Sequence, residues 1–415
     1  MTSSAREPPN DLYRNPDLWR WADSIEGLNE WPPPGAASGE NAARFPWGRR
    51  GNEVFARLGA LLPGVVIALA LAAGGRIGSE ALGAALLGLE QSPISPVLLA
   101  IAAGLLIRNT IGLPAVYEAG LQLCTKRVLR LGVALLGIRL SLGAVGAIGV
   151  LALPIALGCI ATALLVMDWI TRALGLSRRL GALVAVGTAI CGNTAIVATA
   201  PAIGAKEEEI SYAMGTITLF GLLALLGYPF LSHLLFAGDP TRAGLFLGTA
   251  IHDTAQVAGA GLLYLQHYGA SEALDVATVT KLLRNLLMIA VIPLVASLYR
   301  RSSGSGATTR PSLREVVPLF VFGFVAMALL RTLGDWGAAP FGGLLSREQW
   351  ERTTEFLSWL SSWCLVVAMA SVGLATNLDR LRRLGVKPLA AGLAAAVAVG
   401  LMSVALIRAL VPWMR

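Results

Sequence analysis

Two short stretches of this 415-residue chain place ionisable side chains inside apolar sequence. Thr249, His252, Asp253 and Gln256 are spaced by three and four, so a continuous helix would present all of them on one face. Thr278, Lys281, Arg284 and Asn285 repeat that arrangement in the next apolar stretch. Charged groups within a membrane are costly enough to mark function by default. Cations with directed N–H donors suit an anion, and His252 with Asp253 is an adjacent titratable pair suited to proton coupling. The competing readings are a satisfied pair that locks helices together, a hydrogen-bonded core histidine, and a Lys281 that snorkels to the interface. A further basic set divides in two. Lys126, Arg127 and Arg130 lie near one end of their span and read as interfacial, whereas Arg139, near the outer end, is a candidate ligand.

Two other segments read as broken helices. One is Gly187-Thr188-Ala189-Ile190-Cys191-Gly192-Asn193-Thr194-Ala195, and the other is Ala370-Ser371-Val372-Gly373-Leu374-Ala375-Thr376-Asn377. Glycine, threonine and asparagine at mid-bilayer loosen the backbone and supply the polar groups that an unwound stretch needs. A half-helix N-terminus there offers about half a positive charge and free N–H groups to an anion. The candidate substrate contacts are therefore Thr188, Cys191, Gly192, Asn193, Thr194, Gly373, Thr376 and Asn377, joined by His252, Gln256, Lys281, Arg284 and Arg139. The alternative is that the glycines serve close helix packing.

The elements that must position these residues are membrane helices. Hydrophobic residues make up 55% of the chain and charged residues 14%, and the mean hydropathy is +0.66, which excludes an ordinary soluble domain. An all-α polytopic membrane protein follows, with about eleven transmembrane helices. The candidate spans are 58–74, 96–110, 125–142, 146–170, 180–203, 210–236, 243–265, 276–299, 316–332, 356–377 and 388–410. Residues 1–50 form a polar cytoplasmic tail with a short amphipathic turn over 15–31, and 51–415 form the transporter domain. The two broken segments fall in the fifth and tenth spans and run in opposite directions, as one extra helix followed by two inverted five-helix repeats would give. A second likeness, Gly187 to Ile190 against Gly248 to Ile251, joins spans two apart and parallel, which does not fit that repeat and reads as shared local chemistry or chance.

The net charge of +8 sits largely in short basic clusters between apolar segments, a positive-inside pattern and not a nucleic-acid stripe. It predicts a bacterial inner-membrane protein with its N-terminus in the cytoplasm and its C-terminus outside, the loop at Glu272 and Asp275 outside, and the acidic residues of 206–209 outside as well. Cys124, Cys159, Cys191 and Cys364 show no CxxC or Cys/His spacing, so no metal, cofactor or disulfide framework is expected. No HExxH, GxGD-like pair, Ser/His relay or GxxxxGK[ST] is present, so neither an intramembrane enzyme nor an ATPase is favoured.

The run Leu129 to Ser141, the Ile190-Cys191-Gly192 core, Ile251-His252-Asp253-Thr254-Ala255-Gln256-Val257, Lys281-Leu282-Leu283-Arg284 and Ala368 to Leu374 together resemble the YeiH family, proteins named as sulfate exporters. The likeness covers about Leu58 to the C-terminus. Where members often carry Ser-Ile-Cys-Gly-Ala-Ser-Ala this chain has Ala189 to Ala195, and where they often carry His-Glu-Val it has His252-Asp253-Thr254. The resemblance implies a fold akin to bile-acid symporters and sodium/proton antiporters, with crossing broken helices. The leading expectation is a secondary transporter of a small anion (a sulfate-like oxyanion, sulfonate or organic acid), an exporter coupled to protons or sodium. The alternative is a cation/proton antiporter, for which Asp253 is the available carboxylate. The expected partners are the anionic solute, the lipid bilayer and, left open by the sequence, a second copy in a homodimer.

Overall fold

The computed structural model describes residues 46–87, 95–303, 319–337, 339–379 and 385–414. The tail over 1–45, with its amphipathic turn, and the arginines at 310, 314 and 380–383 lie outside the described residues. Every regular element among the described residues is helical: α1 (Pro46–Leu87), α2 (Pro96–Thr110), α3 (Glu118–Leu123), α4 (Leu129–Leu136), α5 (Leu142–Ala173), α6 (Arg178–Ala189), α7 (Asn193–Ile203), α8 (Glu207–Leu235), α9 (Pro240–Ala250), α10 (Thr254–Tyr268), α11 (Ser271–Ser303), α12 (Leu319–Gly334), α13 (Arg347–Ala375) and α14 (Val386–Met414). A π-helical turn, Cys124–Val128, joins α3 to α4. Among the described residues, six helical segments are long and apolar enough to cross a membrane, within α1, α5, α8, α11, α13 and α14; α2, α7 and α12 are shorter apolar helices.

The fifth predicted span is broken, as its glycines imply, but it does not run through. The Ser177 hydroxyl that caps α6 donates to Glu209 Oε1 in the first turn of α8, at 2.5 Å. Leu180 near the start of α6 and Ile203 at the end of α7 belong to one apolar cluster with Ile170 and Met214. A Cβ on Gly187 would come 2.9 Å from Ile196 Cδ1, so α6 and α7 fold back on each other. Helices α6 and α7 are thus a hairpin whose base lies at one end of the bundle.

The seventh predicted span, expected to be continuous, is a second hairpin. The His233 ring near the end of α8 stacks on Tyr268 at the end of α10, with centroids 3.7 Å apart. Thr241 in the first turn of α9 donates to Glu272 in the first turn of α11. The two hairpin bases sit near opposite ends of α8, a 29-residue helix of about 43 Å. The Gly187 and Gly248 segments therefore enter from opposite ends and run antiparallel, which overturns their reading as parallel. The tenth predicted span breaks later than expected, only at Thr376 and Asn377. Helix α13 is unbroken from Arg347 to Ala375, and a Cβ on Gly373 would collide with the Ile101 carbonyl, so this glycine serves close packing on α2. The tip of hairpin 1 and the end of α13 face one cavity, as expected, but the partner that meets the tip of hairpin 1 is hairpin 2 and not a broken tenth span.

Because hairpin 1 returns to its own end, residues 206–209 share that end with Arg172, Arg178 and Arg179, contrary to their expected separation. Helices α5–α11 and α14 pack chiefly with one another, and so do α1–α4, α12 and α13. The two groups meet where α10 lies on α2 and α13 and where α12 lies on α5.

Candidate functional site

The hairpin tips meet beside the middle of α8. Asn193 Nδ2, the first residue of α7, donates to Thr218 Oγ1 at 3.3 Å, and Gln256 Nε2 in the first turn of α10 donates to the Thr218 carbonyl at 3.3 Å. Gly221 makes room for Gln256, since a Cβ there would overlap its carboxamide.

Each tip has a C-terminal half-helix end and an N-terminal one, and the structure treats them differently. The last carbonyls of α6 and α9 are held by α11. Arg284 donates to Thr188 O at 2.8 Å, to Ala189 O at 2.7 and 3.2 Å, and, across the tip, to Gly248 O at 3.0 Å, Thr249 O at 2.6 Å and Ile251 O at 3.3 Å. Lys281 Nζ donates to Ile190 O at 2.7 Å, Ile251 O at 3.1 Å and the His252 carbonyl. Both cations are fully buried, so Lys281 does not snorkel. Two positive side chains thus satisfy orphan carbonyls at the negative ends of two helices. Gly244 and Gly248 let α9 approach α11 closely enough for this, since a Cβ on either would meet α11 within 3 Å.

The N-terminal ends diverge. Residue Gly192 precedes α7 with φ +73° and ψ −124°, a conformation open to glycine and strained for other residues, and as the N-cap residue it has no side chain to cap that helix. In hairpin 2 the equivalent position is Asp253, whose Oδ1 accepts from Ala255 N at 2.8 Å while its own N–H donates to Gln256 Oε1 at 3.3 Å. Asp253 is therefore the N-cap of a new helix, and the four residues from Thr249 to Gln256 do not share one face.

A cavity of about 280 Å³ lies between the two helix groups and ends on both N-termini. Its inner wall includes Cys191, Asn193, Thr194, Asp253, Gln256 and Asn285, and Thr376 and Asn377 join from the end of α13. Arg108, Lys126, Arg130 and Glu118 stand on the wall toward the end of the bundle where hairpin 1 has its base. Of the candidates read from sequence, Cys191, Asn193, Thr194, Gln256, Thr376, Asn377 and Asp253 line this cavity. Thr188, Gly192, His252, Lys281, Arg284, Arg139 and Gly373 do not. Lys281 and Arg284 are occupied by carbonyls, His252 is buried with Nδ1 unpartnered among the described residues, and Arg139 pairs with Asp275 at 3.0 Å near the opposite end. Sequence reasoning missed Thr218 and Thr254, named Asn285 on a polar helix face without counting it among the substrate contacts, and assigned Lys126 and Arg130 to the interface. Asn285 shared a helix face with Arg284, but nothing in the sequence separated the clamp residue from the cavity residue.

A bundle that is all-helical among the described residues, with six membrane-length apolar helices among them and a polar-lined cavity, defines a polytopic membrane protein. Residues 64–392 match the family described as conserved hypothetical protein 698, and the chain belongs to that family, whose relatives carry the name UPF0324 membrane protein. It is 36% identical to such a protein of Streptococcus pyogenes over 85% of this chain and 98% of that one. It is 34% identical to one of Agrobacterium fabrum, over 84% and 93%, and 32% identical to one of Nitratidesulfovibrio vulgaris, over 81% and 91%. These names state membrane residence and no substrate. No solved structure matches the chain.

Proposed function

We propose that the chain is a secondary transporter of a small organic or inorganic anion, which binds in the cavity at the uncapped N-terminus of α7. The observation that carries this reading is that the cavity ends on two half-helix N-termini, of which α10's is capped by Asp253 and α7's begins at a glycine, and is lined by Arg108, Lys126 and Arg130 against Glu118 and Asp253. Free N–H groups and the positive helix end favour negative charge, and the basic wall adds long-range attraction. The volume sits at the lower limit of small-ligand sites. Two hairpins entering from opposite ends, with Gly-Thr-Ala-Ile in each, support an inverted repeat centred on α8 and an alternation of access between the two helix groups. The arginines at 172, 178 and 179 share an end with the cavity wall, which supports placing that end in the cytoplasm of a bacterial inner membrane. Asp253, an acid of the inner wall, is the group best placed for proton coupling, and His252 is its buried neighbour. Asp253 also supports a second reading, a cation/proton antiporter.

Thermal stabilisation of the purified protein by sulfate, sulfite, sulfonates, carboxylates and sodium over a range of pH separates the two, since a ligand of the native state raises the melting temperature by mass action. Stabilisation by an anion at constant sodium supports the transporter of anions; stabilisation by sodium alone supports the antiporter and overturns the first reading.

A further inference from the structure

The two helix groups are fastened together at one end and parted by the cavity toward the other. Arg139, in the turn that follows α4, pairs through Nε with Asp275 Oδ1 in the second turn of α11 at 3.0 Å, and the two side chains are mostly buried. Gln266 Oε1, in the last turn of α10, accepts from Val97 N at the start of α2 at 3.2 Å. Thr332 Oγ1, near the end of α12, accepts from Leu142 N, the first residue of α5, at 2.8 Å. Each of these three contacts runs from one helix group to the other.

Asp275 and Gln266 flank the base of hairpin 2, where Thr241 meets Glu272 and His233 stacks on Tyr268. The cavity reaches the opposite end. Helix α2 starts at the Gln266 contact and climbs about 22 Å to its last turn, where Arg108 lines the cavity. Beyond it Leu113 and Ala115, in the loop before α3, line the cavity too, and Ala115 is exposed. A cavity between two bodies, open at one end and shut by bonds between those bodies at the other, is half of an alternating-access cycle. The other half requires those bonds to break. A largely buried ion pair suits the task, since salt screens it less than a surface pair and its two halves separate with the two groups.

Resting on the transporter reading above, and not on which ion is carried, we infer that Arg139 with Asp275, seconded by Gln266 on Val97 N, is the closed gate of the cavity on the hairpin 2 side. The gate touches no ligand. It sets the side from which the cavity can be reached.

The test uses the full chain without its four native cysteines, with Thr194→Cys as the probe, because Thr194 lines the cavity and is exposed there. A membrane-impermeant maleimide is added from either face, and Glu207→Cys and Glu272→Cys mark which face is which. The parent is expected to label at Thr194→Cys from the Glu207 face. Adding Arg139→Gln or Asp275→Asn is expected to raise the labelling rate from the Glu272 face by about tenfold or more, since the bond lost involves a charged group. A tenfold rise in a sparsely populated state leaves the original state dominant, so binding itself is little changed. Gln266→Leu, which removes one neutral bond, is expected to give a rise of about threefold and serves where an ion-pair variant does not fold. Arg331→Gln breaks an ion pair with Asp335 at the same end, 2.6 Å long but inside one helix group, and is expected to give no rise. Labelling of the parent from the Glu272 face alone, no rise in any gate variant, or an equal rise in Arg331→Gln would overturn the gate and leave the transporter reading standing. Absence of thermal stabilisation by every solute named above would overturn both.

Discussion

The two hairpins share a sequence in their first halves and part company in their second. Gly187-Thr188-Ala189-Ile190 and Gly248-Thr249-Ala250-Ile251 each end a half-helix whose carbonyls are taken by Arg284 and Lys281. After them come Cys191-Gly192 in hairpin 1 and His252-Asp253 in hairpin 2. Hairpin 2 supplies its own acid to cap α10, whereas hairpin 1 has at that position a glycine with no side chain to cap α7. The shared halves are a structural device, and the divergent halves are where a ligand can act.

The largest effect in the comparison belongs to the shared halves. Arg284→Leu removes the donors from carbonyls of both half-helices at once, and a loss of roughly 3–5 kcal/mol is expected, as for breaking a buried charge network. Chemical or thermal denaturation should show it as a poorly folded protein, not as a folded one with weak binding. A folded Arg284→Leu protein with wild-type stability would break the clamp assignment.

Next come the caps. Gly192→Ala places a Cβ 3.1 Å from Asp253 Oδ2 on a backbone that disfavours it, and about 1–3 kcal/mol of destabilisation is expected in a melting experiment. Asp253→Gly, which makes hairpin 2 resemble hairpin 1, should cost only a few tenths of a kcal/mol, the usual penalty of a glycine cap. It should also raise anion affinity, since a second N-terminus opens and a carboxylate leaves the cavity. Unchanged affinity in a folded Asp253→Gly protein would show that the cap has no bearing on the ligand. A pH profile of anion binding that is the same with and without Asp253 would remove it from coupling as well.

The smallest effect on binding belongs to Arg139. Its pairing with Asp275, both largely buried at 15% and 11% exposure, joins α11 to the helix group that contains α4 at the end away from the basic cavity wall. Arg139→Gln should lower stability yet leave anion affinity within about twofold, because the interaction does not face the ligand. A large loss of affinity would return Arg139 to the site.

Much of this was legible from residue patterns and some was not. The helix over 96–110 has the predicted ends because Ser95 caps it and Pro96 starts it. The break at Gly192 was visible because only glycine tolerates its backbone. The break at Ile251 to Asp253 was hidden because no glycine marks it, although Asp253-Thr254-Ala255-Gln256 before an apolar run is a capping pattern that signals a new helix. Gly373 misled for the reverse reason: a packing glycine and a hinge glycine look alike without the neighbour, here Ile101. Whether a broken span crosses or returns depends on long-range contacts such as Ser177 to Glu209, which no local pattern encodes.

The opposite entry of the two hairpins is the claim on which the cavity, the clamp and the inverted repeat all depend. It is tested by single cysteines at Ala173, Glu207 and Glu272 in a background without the four native cysteines, labelled in intact cells or oriented vesicles with a membrane-impermeant thiol reagent. Labelling of Ala173→Cys and Glu207→Cys from one face and of Glu272→Cys from the other is the predicted result. Labelling of Ala173→Cys and Glu207→Cys from opposite faces would make hairpin 1 a crossing helix and contradict the account.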